Sequence, residues 1–335
     1  MTRATRSATL ALVISSLVVS LLIAEGALRI AARFAIAGAD RLAKIDPMKV
    51  LIEPHGAFGY RQRPNVVFAY GNGSTASANA MGYRGPLVTI PKPAGTFRVI
   101  LLGESTTHGW GVVDSETIDT YLRPLLAQQA RGRRVEVVNL AFDGYDAYQV
   151  WQRLLSNGTR FQPDAIIANV GINDVRNARF APPLGDPDPR TLIWEADLKR
   201  LRREAANGGP SFSTRFKHYF FLARLPGMMN DLMFRHRPAL KPEVTVYPQA
   251  ADNFQRNVLR IADVARDLDV PLILSTPPSI LPRTGDSRLA PRDYWIRDAV
   301  TTQLYRDTLA ARLIAIQQQR AAQGQTIIYV SHTIP

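Results

Sequence analysis

The 335 residues include no cysteine. That excludes disulfides, thiolate metal sites and a cysteine nucleophile, while leaving the compartment open. Lysine is scarce, accounting for only 6 of the 41 basic residues, so arginine carries the net charge of +13. The arginines are scattered. The densest runs, Arg131-Gly132-Arg133-Arg134 and Lys199-Arg200-Leu201-Arg202-Arg203, fall at the ends or faces of expected helices. A nucleic-acid site would leave a clustered basic footprint, so no nucleic-acid partner is expected and an Arg-rich surface is the simpler reading. The chain also lacks a repeat of fixed period, a dinucleotide fingerprint and a phosphate-cradling glycine loop. Asp186-Pro187-Asp188 is too isolated for a metal site, and neither metal nor cofactor is expected.

Charge is missing altogether from Ala8 to Ala24, a 17-residue apolar run preceded by Arg3 and Arg6. The length suits a short spanning helix better than a signal-peptide core. Glu25 follows Ala24 directly, so no clean small-x-small cleavage site is present. We therefore expect a membrane anchor over residues 1–35, with a cleaved signal as the alternative. Its helix continues towards Phe34, with Arg29 and Arg33 at headgroup level. Basic residues flank the run on both sides. The short basic tail before it argues for a signal anchor with the main domain outside the cytoplasm, in the periplasm.

Residues 36–95 are rich in Pro, Gly and Asn and read as a linker with pre-domain loops and a few short strands. From Phe97 the pattern changes. Short apolar runs at Phe97–Leu102, Val135–Leu140, Ala165–Val170, Val270–Ser275 and Thr326–Val330 alternate with helical stretches at Glu116–Gln129, Ala147–Leu155, Asp252–Asp267 and Tyr294–Ala322. Strands of continuous apolar residues separated by helices predict an α/β fold whose parallel sheet is covered on both faces. Five strands suit a three-layer, flavodoxin-like order. Residues 176–250 interrupt the alternation with the Pro-rich run Pro182 to Pro189 and an aromatic, Met-rich stretch from Phe212 to Phe234. Such a stretch packs on the core edge, or forms a lid, acyl-binding surface or second membrane contact.

Ligands bind beyond the carboxyl ends of parallel strands, and three glycine-bearing polar turns stand there: Gly103-Glu104-Ser105-Thr106-Thr107-His108-Gly109, Asn139-Leu140-Ala141-Phe142-Asp143-Gly144-Tyr145 and Gly171-Ile172-Asn173-Asp174. Singly each could be a helix cap or an ordinary turn. Together and in this order they resemble the blocks of the SGNH (GDSL-like) hydrolases, with Glu104 in place of the usual Asp. The segment Asn79-Ala80-Met81-Gly82-Tyr83-Arg84-Gly85 is similar to one that precedes the domain in anchored members. Thr107 rather than glycine follows the serine at two positions' remove, unlike the Gly-x-Ser-x-Gly elbow of α/β-hydrolases.

The resemblance implies the SGNH hydrolase fold over 96–335, with an inserted helical region at about 176–250. It implies Ser105 as nucleophile and an oxyanion hole made by the amides of Ser105 and Gly144 and the side-chain amide of Asn173. It also implies a small ester, acylated glycan or lipid as substrate. A serine needs a general base, usually a histidine oriented by a carboxylate, which the family supplies from a late Asp-x-x-His. Of the five histidines, His55, His108, His218, His236 and His332, only His332 follows the fifth strand, and Tyr329 stands where Asp is expected. Either His332 serves with a carboxylate from elsewhere, or the chain ends before the dyad; the missing acid favours the second. The leading expectation is an esterase, and the alternative is a non-catalytic acyl- or glycan-binding module lacking its base. Oligomeric state is not legible.

Overall fold

A computed structural model describes residues 3–33, 52–55, 59–70, 74–177, 216, 220, 222–226, 249–278 and 299–331. By contacts the chain divides into two compact units, one of residues 1–46 with 202–240 and the other of 47–201 with 241–335.

In the first unit, α1 (Arg3–Arg33) is one continuous helix. Its stretch Ala8–Ala31 has a mean hydropathy of 2.2 and is long and apolar enough to cross a bilayer. Leu12, Leu17, Leu22 and Ile23 are exposed, so the helix suits a membrane anchor or a signal sequence. Glu25 accepts from the Arg29 guanidinium at 2.8 Å and from the Leu222 amide at 2.9 Å.

The second unit begins with two hairpins, β1 (Ile52–His55) with β2 (Gly59–Gln62), and β3 (Val67–Ala69) with β4 (Thr75–Ser77). There follow β5 (Thr96–Gly103), the one-turn helix α2 (Ser105–His108), α3 (Ile118–Gln129), β6 (Arg134–Asn139), α4 (Ala147–Arg153), β7 (Ala165–Asn169), α5 (Ile172–Asn177), α6 (Gln249–Asp267), β8 (Leu272–Ser275), α7 (Ala299–Ala321) and β9 (Ile327–Val330). Strands β5 to β9 form one parallel sheet in the order β6-β5-β7-β8-β9. This is the expected three-layer, doubly wound arrangement.

Successive side chains of a strand point to opposite faces, and β5 shows why its run is apolar throughout. Ile100 and Leu102 join Val138, Ile166 and Leu274 on one face, under α4, α6 and α7 through Val150, Phe254, Val258, Leu309 and Leu313. Val99 and Leu101 join Val137 and Ala165 on the other, under Leu122 and Leu126 of α3. The edge strand β9 has the alternation that one covered face produces, with Ile327 buried and Ile328 and Val330 exposed.

Two features depart from the sequence reading. Ile52, Tyr60, Phe68, Tyr83 and Val88 pack in the same core as the sheet, so the hairpin segment is part of the fold's interior. In addition, Arg84 and Arg98 are among the largest fully buried side chains and Arg153 is buried too, against an arginine complement expected at the surface. Arg98 escapes the cost of burial by pairing with Glu136 at 2.6 Å and donating to the carbonyls of Phe161 and Thr89.

Candidate active site

The strand order places β5 between β6 and β7, so the turn after β5 is flanked by the turns after its two neighbours. This is the switch point at which an open parallel sheet leaves a crevice. Gly103 ends β5 at a point where only glycine fits. A Cβ there would stand 2.5 Å from Thr107 Oγ1 and 2.6 Å from the Asn169 carbonyl. The same close approach lets Asn169 Nδ2 donate to Thr107 Oγ1 at 3.0 Å, while Asn139 Nδ2 donates to the Thr107 carbonyl at 3.0 Å. The short helix bearing Ser105 is thereby held from both neighbouring strands.

Glu104, fully buried, turns its carboxylate onto the first amides of the third turn: Gly171 at 2.6 Å, Ile172 at 2.9 Å and Asn173 at 2.8 Å. These amides open α5, where a negative charge satisfies donors the helix itself leaves unpaired. The residue preceding Ser105 therefore fixes the backbone of Asn173. Asn173 Nδ2 in turn donates to the Tyr145 carbonyl at 2.9 Å, next to Gly144. An amide NH2 has two hydrogens, and this bond uses one. Gly144 is buried with φ of 80°, a conformation that glycine adopts freely. Ser105 is half-buried at the start of α2, and its Oγ has no hydrogen-bond partner among the described residues.

The segment 79–85 belongs to this scaffold. Asn79 closes it into a turn, donating to the Gly85 carbonyl at 2.9 Å and accepting from the Met81 amide at 2.9 Å. Arg84 then reaches the carbonyls of His108, Gly109 and Val112 at 3.2, 2.6 and 3.0 Å and the Asp114 carboxylate at 2.7 Å. The last carbonyls of α2 have no partner within the helix, and this guanidinium supplies one.

His108, unassigned from sequence, is fully buried. Its Nδ1 lies 3.0 Å from Asp143 Oδ1 and its Nε2 lies 3.3 Å from Gln62 Oε1. Both ring nitrogens are engaged, so it does not offer Ser105 a base. His55 stands half-buried in β1, its pKa lowered by burial and then by Arg61 and Arg153. His332, together with His218 and His236, lies outside the described residues, as does most of the expected insertion at 176–250. Among the described residues no group of His, Asp or Glu could hold a metal ion.

Asp174 accepts the Ala147 amide on both oxygens at 3.2 Å. Burial, and then the like charges of Asp146 and Glu104, hold its pKa well above the usual carboxylate value. A raised carboxyl favours the folded state below the unfolded pKa, and that advantage is lost as pH rises through the folded value. Wild-type stability should therefore fall relative to Asp174→Asn between about pH 4 and neutrality. Urea unfolding across that range tests this, and parallel pH curves would contradict it.

A five-stranded parallel sheet covered by helices, with three polar turns meeting at its switch point, defines a doubly wound α/β scaffold. The GDSL-like Lipase/Acylhydrolase family model matches residues 101–303, more than half of the chain, and the chain belongs to this family of ester hydrolases. Among solved structures, it is similar to a putative acylhydrolase from Bacteroides fragilis at 16% identity and a TM-score of 0.35, covering 70% of this chain and 66% of that one, just under two thirds. A GDSL-like lipase from Bacteroides thetaiotaomicron matches at 16% identity and a TM-score of 0.35, covering 72% of each chain. A variant of an acetyl-xylooligosaccharide esterase from Geobacillus matches at 14% identity and a TM-score of 0.38, covering 70% of this chain and 75% of that one. No curated protein matches the sequence.

Proposed function

We propose that the chain is a membrane-anchored serine esterase in which Ser105 attacks the ester carbonyl. The oxyanion that develops is received by the amides of Ser105 and Gly144 and by the free hydrogen of the Asn173 amide. The observation that carries this reading is the pair of ties from Glu104 to the Asn173 backbone and from Asn173 Nδ2 to the Tyr145 carbonyl. They join the three turns through residues adjacent to the proposed donors. Donors fixed in advance cost nothing to reorganise when charge appears, and one is worth ~3 kcal/mol. Gly144 suits the role because nothing projects from its Cα to obstruct the substrate.

Of the histidines in the sequence, His332, which follows the last strand and lies outside the described residues, is the candidate for the general base, and its acid partner is unassigned. The substrate is a carboxylic ester of a lipid, acyl or O-acetyl glycan type. Helix α1 anchors the chain, with the hydrolase unit on the periplasmic side.

A second reading, a non-catalytic acyl- or glycan-binding module, draws support from the engagement of both His108 nitrogens. Fluorophosphonate labelling of the detergent-solubilised full chain separates the two, because the probe reacts with an activated serine. Stoichiometric label mapped to the peptide carrying Ser105 is expected. An unlabelled chain beside a labelled control hydrolase would favour the binding module.

A further inference from the structure

Three donors proposed to converge on one oxygen belong to turns that follow three different strands. One backbone bond, from the Phe142 amide to the Gly103 carbonyl at 3.2 Å, joins two of these turns, and side chains tie them further. Two ties are described above: Glu104 links the turn of Ser105 to Asn173, and Asn173 links to the turn of Gly144 through Tyr145. Between the turns of Gly144 and Ser105, Asn139 reaches Thr107 at the base of the turn, and the buried pair of His108 and Asp143 makes the tie that lies next to Gly144 itself.

The placement is economical. His108 is the last residue of the one-turn helix that begins at Ser105, and Asp143 immediately precedes Gly144. The ring and carboxylate are 0% and 5% exposed and meet at 3.0 Å. A carboxylate only accepts, so Nδ1 carries the proton and the tautomer is set there. Asp143 Oδ2 has no hydrogen-bond partner among the described residues, which leaves His108 as the carboxylate's side-chain partner. The carbonyl of Asp143 accepts from Tyr60 Oη at 2.8 Å, and Phe142 packs edge-on against the imidazole at 5.1 Å. With that tautomer Nε2 accepts, so the Gln62 amide presents its NH2 to the ring, a group that otherwise has no partner among the described residues. The imidazole is thus locked on three sides, with its one charged contact directed at the residue before Gly144.

We propose that His108 is a positioning residue for oxyanion binding, acting through Asp143 to set the Gly144 amide against that of Ser105. This rests on the esterase reading above. The contact involves neither substrate nor proton transfer. Its loss lets the Gly144 amide drift from the reacting oxygen, which costs transition-state stabilisation and leaves substrate binding nearly unchanged.

The test compares His108→Ala, His108→Gln, Asp143→Ala, the double Ala variant and Ser105→Ala in the full chain. Ester turnover is expressed per folded molecule by thermal unfolding and circular dichroism. His108→Ala and Asp143→Ala should each lower kcat roughly 10- to 100-fold, below the effect of losing a whole donor, with KM within about threefold. The double variant should be no worse than the poorer single one, since both remove one contact. His108→Gln, which keeps a donor for Asp143, should recover most of the loss. Where His108→Ala does not fold, Asp143→Ala read against Asp143→Asn carries the same comparison. Single variants with wild-type kcat, losses that multiply in the double variant, or losses confined to KM overturn the inference while Ser105→Ala is inactive. Activity retained by Ser105→Ala overturns the esterase reading itself.

Discussion

Ser105→Ala should reduce hydrolysis of a short p-nitrophenyl ester by at least ~1000-fold, because the proposed nucleophile is removed and only the oxyanion donors remain to assist water. The same substitution should leave stability within about 0.5 kcal/mol of wild type. Ser105 is half-buried, and its Oγ holds no hydrogen bond among the described residues that alanine would break. Alanine also suits the first turn of a helix. The two outcomes must be read together. A large loss of turnover with unchanged thermal unfolding assigns the hydroxyl to chemistry. A fall in stability of equal weight would make the serine structural, and turnover within tenfold of wild type would remove it as nucleophile.

Glu104→Ala should harm both properties at once. Its carboxylate receives three amides at 2.6 to 2.9 Å in a buried setting. Hydrogen bonds to a charged group contribute about 1.5–3 kcal/mol each, and an amide left buried without a partner costs about 1–3 kcal/mol. Some relaxation and water entry will offset part of this, so a loss of at least ~3 kcal/mol is expected. For a unit of this size that corresponds to a fall in Tm of roughly 6–12 °C. Turnover should drop as well, because the freed backbone carries Asn173 away from the oxyanion position. Glu104→Gln keeps one acceptor oxygen and should be intermediate. Thermal unfolding and ester turnover on the same samples check the prediction, and an alanine variant as stable as wild type would refute the capping role.

Much of the fold was legible because covering both faces of a parallel sheet forces each strand to be apolar along its length. Phe97–Leu102 therefore stands out against the polar turns that follow it. The three turns were legible for a related reason, since strand ends must break into glycine-bearing polar sequence. What escaped was held by contacts at long sequence separation. His108 and Asp143 are 35 residues apart, and Gln62 and His108 are 46 apart, so no local period marks either pairing. Arg84 read as a linker residue because a buried guanidinium satisfied by backbone carbonyls looks like any other arginine in sequence. Glu104 stands in the sequence as a replacement within a motif, while its use, capping a helix 67 residues on, depends on which strand lies beside β5.

The buried guanidinium of Arg84 has a consequence for how this protein can change over generations. It serves three carbonyls and one carboxylate, a planar fan of acceptors that the single ammonium of lysine cannot match. An Arg84→Lys exchange would therefore leave acceptors unpaired in a buried setting. Moreover, Gly109 has no room to grow, since a Cβ there would stand 2.9 Å from Arg84 Nη1. Its φ of 88° and the Thr117 methyl at 3.0 Å hold that position to glycine as well, so descendants of this chain should keep Gly109 even where the arginine is lost.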